Sequence, residues 1–244
     1  MKLGPVWKVV VVVVLGGAAV WSVGYIDQIP PQRLAALLGI KVSVSDVTAT
    51  PKPTPLPAGD KSSTLGIVAV QTFSGPVLVR YGTGTVVSVD GLVLTTVATA
   101  PYGSGSFVYQ VATPRGQLLR ARRVASDAPS GLVLLKADAS DLDAVLFSPV
   151  QTLAGAQWEA VSAQVVASRF VAMRLPVWVV WSDGDRQTVV SMDRAYASTF
   201  NGARLIDETG RSVGLVRNAL QPGLITAAHI NAFLDRYLGQ TIKN

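Results

Sequence analysis

A single histidine, His229, and no cysteine occur in the 244 residues, so few groups are available for nucleophilic or metal chemistry. Thiolate attack, disulfides and sulfur-ligated metals are ruled out, and zinc binding or histidine proton transfer would rest on one imidazole. His229 falls in the first turn of a C-terminal helical pattern with Thr226 as its N-cap, where it reads as a surface residue. Lys136 and Ser198 could in principle form a serine–lysine pair, but Lys136 ends a strand-like run and reads as a solvated tip. Asp183 and Asp185 flank a turn glycine, and Asp141 and Asp143 read as loop solvation. Met173 and Met192 read as core. No calcium loop or phosphate-cradling loop is present in the sequence, and neither metal nor cofactor is expected.

The elements that must position any site are strands. From Thr64 onward the apolar period is two, in short runs rich in valine and leucine. These runs are Leu65–Phe73, Val77–Tyr81, Thr85–Val89, Leu92–Thr96, Phe107–Val111, Leu118–Val124, Leu132–Ala137, Glu159–Ala167, Val177–Trp181 and Thr188–Met192. Gly, Pro, Asp and Ser clusters separate them, which predicts an all-β sandwich or barrel. Asp90-Gly91 and Asp183-Gly184 are hairpin signals. Ile230, Phe233, Leu234, Tyr237 and Leu238 follow helical spacing, so one helix closes the chain.

The N-terminal quarter is organised differently. Val9 to Ile26 is an 18-residue run in which only Ser22 has a polar side chain. As a helix it would span ~27 Å, close to a bilayer's hydrocarbon thickness. Trp7, Trp21 and Tyr25 sit at its ends, Lys2 and Lys8 precede it, and Asp27 follows. The positive-inside bias therefore places the N-terminus in the cytoplasm and the remainder outside the cytoplasmic membrane. A retained single-pass anchor is preferred over a signal peptide cleaved near Ser22-Val23-Gly24, because the apolar run exceeds an ordinary signal core. Pro51, Pro53, Pro55 and Pro57 alternate within 48–63 and predict an extended linker. The expected organisation is a cytoplasmic tail 1–8, a transmembrane helix 9–26, a juxtamembrane segment 27–47, a Pro-rich linker 48–63 and a β domain 64–244.

The net charge of +6 is shared equally between residues 1–63 and the remainder. Its one tight cluster, Arg120, Arg122 and Arg123, reads as a solvated strand face without interleaved aromatics, so no nucleic-acid partner is expected.

Several segments carry a resemblance. Gly82-Thr83-Gly84-Thr85-Val86-Val87-Ser88-Val89-Asp90-Gly91-Leu92-Val93-Leu94-Thr95 leads into Thr96-Val97-Ala98. Gly131-Leu132-Val133-Leu134-Leu135-Lys136 follows Ser126-Asp127, and Leu153-Ala154-Gly155-Ala156-Gln157-Trp158 comes next. Thr199-Phe200-Asn201-Gly202-Ala203-Arg204-Leu205 precedes Asp207–Gly210 and Val213-Gly214-Leu215. In order and spacing this resembles the trypsin-like serine proteases, particularly their bacterial high-temperature-requirement branch, over about 64–240.

The resemblance implies a chymotrypsin-like double β-barrel with a C-terminal helix. It also implies that Ala98, Gly131 and Asn201 stand where the family has its histidine, aspartate and serine. Those roles require a base, an orienting group and an activated nucleophile, and none of the three residues supplies one. Thr199 and Ala203 replace glycines of the loop that aims the oxyanion donors. The expectation is therefore a catalytically inactive, membrane-anchored domain that binds or scaffolds a peptide or protein. The family's substrate-pairing edge maps to Val216, Arg217, Asn218 and Ala219, with Arg217 as a contact for an acidic ligand. A hydrolase with an unorthodox site and a purely structural envelope component are the competing expectations. Ligand identity and oligomeric state are not specified by these motifs.

Overall fold

The structure, a computed structural model, describes residues 64–102, 106–149, 157–181, 187–190, 199–218 and 223–241, together with three two-residue strands nearer the N-terminus. The chain divides into two units, 1–48 and 49–244. In the first, β1 (Val14–Leu15) pairs antiparallel with β2 (Ala18–Ala19). Apart from these four residues, the spanning helix expected over 9–26 lies outside the described residues, as does the juxtamembrane segment 27–47. Among the described residues, no helix is long and apolar enough to cross a membrane.

The second unit is mostly strand. Its first strand is β3 (Thr54–Pro55). Six more, β4 (Ile67–Ser74), β5 (Val77–Val86), β6 (Leu92–Thr96), β7 (Phe107–Ala112), β8 (Leu118–Asp127) and β9 (Leu132–Ala137), close a barrel in the order β4-β5-β6-β9-β8-β7. The remaining strands are β10 (Gln157–Val166), β11 (Arg169–Trp181), β12 (Gln187–Val190), β13 (Arg204–Ile206), β14 (Ser212–Asn218) and β15 (Gly223–Thr226). They pair in the order β10-β13-β14-β15-β12-β11, and a further β10–β11 ladder brings the sheet back to its first strand. The helix α1 (Ala227–Thr241) follows directly, with the Thr226 hydroxyl accepting from the His229 amide as the cap residue should.

The period-two pattern works here with both faces covered. In β9, Val133, Leu135 and Ala137 fill the barrel interior. Leu132 and Leu134 point the other way, into a cluster with Ile230 and Phe233 of α1 and Leu215 of β14. β4 divides likewise, with Val68 and Val70 inside and Ile67 and Ala69 against Val161, Ala163 and Ile206 of the second sheet. Each fully buried Leu, Ile or Val contributes roughly 1.5–3 kcal/mol of transfer free energy. The barrel interior and a second core around Phe200, Leu205 and Val213 are thus joined by apolar clusters that both sheets line.

Two strand expectations are corrected. Val77–Tyr81 and Thr85–Val89 were expected as separate runs. They form one strand to Val86, because Gly82 and Gly84 serve close packing rather than a break. β11 begins at Arg169, eight residues before the expected Val177. It accommodates Pro176 on an edge lying between its β3 partners (Met173, Arg174) and its β12 partners (from Trp178). Within the expected Pro-rich linker 48–63, Thr54 and Pro55 pair with that edge.

Candidate functional site

Three segments distant in sequence meet at the turn after β6. After β6 the chain makes a tight turn, with the Thr99 and Ala100 amides donating to the Thr96 carbonyl at 3.0 and 2.9 Å. Ala98 sits half-buried in that turn. The Val97 amide donates to the Gly131 carbonyl at 2.8 Å, which places Gly131 against the turn. The loop carrying Asn201 closes the third side, with the Asn201 carbonyl accepting from the Thr83 amide at 2.8 Å and from the Thr99 hydroxyl at 3.4 Å. A Cβ at Gly82 would lie 2.2 Å from Thr99 Oγ1 and 2.6 Å from Asn201 O, so only glycine allows the turn and the loop to approach this closely.

The Asn201 loop is anchored at both ends. Phe200 is fully buried in the second core, and Gly202 and Ala203 exchange main-chain hydrogen bonds with Val216 (2.9 and 2.8 Å). Gly202 has φ +73°, and a side chain there would meet the Thr83 carbonyl at 2.4 Å. Ala203 is also buried in that core, and Thr199 turns its hydroxyl to Gln164 Oε1 at 3.5 Å.

Chemically, Ala98, Gly131 and Asn201 offer a methyl group, a hydrogen and a carboxamide. Three surrounding threonine hydroxyls are engaged structurally, whereas the buried Thr96 hydroxyl at the start of the turn has no hydrogen-bond partner among the described residues. Thr72 donates to the Thr99 carbonyl (2.7 Å), Thr95 donates to the Thr83 carbonyl (2.8 Å), and Thr83 Oγ1 accepts from the Ala163 amide (2.9 Å). The nearest hydroxyl–carboxylate pair is Ser130 with Asp127, at 2.5 Å. That Asp127 carboxyl is held below its ordinary pKa, first by the Ser130 hydroxyl, against burial that would raise it, and further by the Ser130 amide and Arg236. A depressed pKa makes it a poor base, and no imidazole stands between the two groups to relay a proton.

The other sequence candidates are dispersed. His229 is exposed on α1, its Nδ1 2.9 Å from the Thr226 hydroxyl. Lys136 forms an ion pair with Asp90 at 2.5 Å and also bonds the Asp90 carbonyl, so it latches the hairpin instead of extending as a solvated tip. Asp141 and Asp143 face Arg115 at 3.8 and 3.3 Å. Met173 is core, whereas Met192, Ser198, Asp183 and Asp185 lie outside the described residues. Arg120 and Arg122 are both exposed along β8. No cluster of metal-ligating side chains occurs among the described residues.

Of the expected binding edge, Val216 is fully buried, with its main chain committed to the 202–203 segment. Arg217 is exposed, and Asn218 lies opposite Gly223 of β15 after a bulge. β13 ends opposite Leu215, so Arg217 and Asn218 run beyond its last ladder partner. Ala219 lies outside the described residues. Arg217 folds back over Gly131, whose φ is +77°. A Cβ at Gly131 would lie 3.1 Å from Arg217 Nε, and Arg217 Nη2 donates to the Pro129 carbonyl at 3.0 Å. The contact between Arg217 and Gly131 was not legible from spacing. Only the fold brings residues 86 apart in sequence together.

No protein-family model matches the chain, and comparison with curated proteins finds no significant match.

Proposed function

We propose that residues 64–244 are a chymotrypsin-like double β-barrel without a catalytic triad, tethered by the N-terminal apolar segment and displayed outside a cytoplasmic membrane. The domain binds extended peptide or protein segments rather than cutting them. The observation that carries this reading is the convergence on the turn holding Ala98. The strand entry at Gly131 bonds that turn through the Val97 amide and the loop holding Asn201 bonds it through the Thr99 hydroxyl, although the three lie up to 103 positions apart. The order of pairing supports it, since β10–β15 return to their starting strand beside a closed barrel. The tether rests on the sequence of 9–26 alone.

Acyl transfer needs an activated nucleophile, and none of the three meeting points has one. Main-chain pairing with a bound strand needs no triad, and β14 beyond Val216 is where it would occur. The test is a serine-reactive fluorophosphonate probe applied to the detergent-solubilised full chain. No labelling is expected, and stoichiometric labelling of any serine overturns the reading in favour of an unorthodox hydrolase. A variant combining Ala98→His, Gly131→Asp and Asn201→Ser is also expected to stay unlabelled. Aspartate at position 131 would have to adopt a positive φ and displace Arg217. In native membranes, crosslinking is expected to trap many short-lived partners. One stoichiometric partner would favour a structural envelope component.

A further inference from the structure

Two short segments, 101–102 and 127–131, form a corner at this site, and three arginines from separate elements converge on it. Arg123 of β8 donates to the Pro101 carbonyl at 3.2 Å. Arg217 of β14 donates to the Pro129 carbonyl at 3.0 Å. Arg236 of α1 reaches Asp127 Oδ1 at 3.2 Å. The Tyr102 hydroxyl ties the two segments together by donating to the Asp127 carbonyl at 3.0 Å.

All three arginines are exposed, yet their charges are not equally balanced. Among the described residues, Asp127 is the one carboxylate in contact with the group, and Arg236 takes it. The hydrogen bonds that Arg123 and Arg217 make there are to main-chain carbonyls. Each planar guanidinium carries five N–H donors suited to a carboxylate fork, and one donor of each is used to position it. The corner therefore holds two oriented cations in excess. Both act on the same spot, since Arg217 and Arg123 each oppose the rise in the Tyr102 pKa caused by burial and Asp127.

We propose that Arg217 and Arg123 form a carboxylate-recognition corner, so that the segment bound along β14 is selected for an acidic group. This rests on the peptide-binding reading above and names its ligand class. The geometry suits any peptide carboxylate, whether a glutamate or aspartate side chain or a free C-terminus. Arg217 lies on the proposed pairing edge itself, with Arg123 across the corner from it.

The experiment is fluorescence anisotropy on the detergent-solubilised full chain. It uses fluorescein-labelled octapeptides of valine and threonine with a central Glu, or a central Gln, each with an amidated or a free C-terminus. A carboxylate-bearing peptide is expected to bind about tenfold tighter than the amidated Gln peptide at low salt. That preference should shrink as salt rises to about 0.5 M. The Glu-amide and Gln-acid arms identify which carboxylate is read. Arg217→Gln is expected to remove most of the preference and Arg123→Gln part of it. Arg115→Gln is the charge control, because it sits in the β7–β8 turn at the opposite end of β8 from Asp127, and it should leave the preference intact. Equal affinities for all four peptides, or a preference that survives Arg217→Gln, overturn the corner while leaving the groove standing. If no peptide binds whatever its charge, the groove reading itself fails, and this inference with it.

Discussion

The two strand systems hold themselves together in different ways. β4–β9 come from one contiguous stretch, 67–137. Their shortest ladder, Thr85–Val86 against Val93–Leu94, is extended by the Val87 amide bonding the Leu92 carbonyl. β10–β15 are looser, with β12 meeting β15 only at Thr188 opposite Gly223 among the described residues. β13 contributes just Arg204 to Ile206. The second system also leans on the first for polar contacts. Buried Arg204 donates to the Leu65 carbonyl at 2.6 Å, and the Ala163 amide uses the Thr83 hydroxyl. The barrel is thus the more continuously paired system, although its outward faces also pack on the second sheet and α1. The loop and edge that shape the candidate site belong to the more sparsely paired sheet.

That asymmetry can be broken most directly in the cores. Leu135→Ala inside the barrel and Leu205→Ala in the second core each remove a fully buried side chain and are expected to cost about 3 kcal/mol. Hydrogen exchange should separate them. Leu135→Ala is expected to deprotect amides in both systems, whereas Leu205→Ala should deprotect 157–218 and leave 67–137 close to wild type. Equal spread from either mutation would mean that neither system is the scaffold.

A smaller effect probes the polar link. Burial lowers the Arg204 pKa to about 10, the mark of a charge held at a cost. Arg204→Ala leaves a cavity and an unsatisfied Leu65 carbonyl and is expected to cost about 3 kcal/mol in urea unfolding. Arg204→Met restores volume and should cost about 1–2 kcal/mol. If both lie within 0.5 kcal/mol of wild type (roughly the scatter of surface substitutions), the second sheet does not depend on this link.

The smallest effect lies in the β13–β14 turn. Burial alone would raise the Asp207 carboxyl, but hydrogen bonds from the Thr209 hydroxyl and amide and from Arg211 outweigh it and hold the pKa below 3.8. A carboxylate with a depressed folded pKa contributes stability that is present above its unfolded value and lost as pH falls through the folded one. Asp207→Asn is therefore expected to cost roughly 1–2 kcal/mol at pH 7. The gap to wild type should close below pH 3.8, and a gap that persists in acid would show that the turn does not use the charge.

Much of the scaffold could be read from residue order. Leu92–Thr96 and Leu132–Ala137 form strands over the expected residues, and Thr226 caps the helix as expected. Ser212–Asn218 was less legible as a strand because its first five residues are all buried, leaving no polar alternation to mark its period. The first half of β11 was less legible for the opposite reason, because Arg169 and Arg174 place charges at a solvent-facing or ion-paired edge, as with Arg174 and Glu159. At the site, the side-chain types of Ala98, Gly131 and Asn201 were legible from the sequence. The packing of Arg217 against Gly131 and the gathering of Arg123, Arg217 and Arg236 were not.

Side-chain chemistry is local, so the chain's residue types alone determined that it has no thiol and a single imidazole, and its apolar periods determined that it would fold as strands closed by a helix. Proximity between residues 30 to 110 positions apart is set by how two strand systems share a core. The tertiary structure alone therefore decided that Gly131 and the Asn201 loop both meet the turn holding Ala98, and that Arg123 and Arg217 stand beside it.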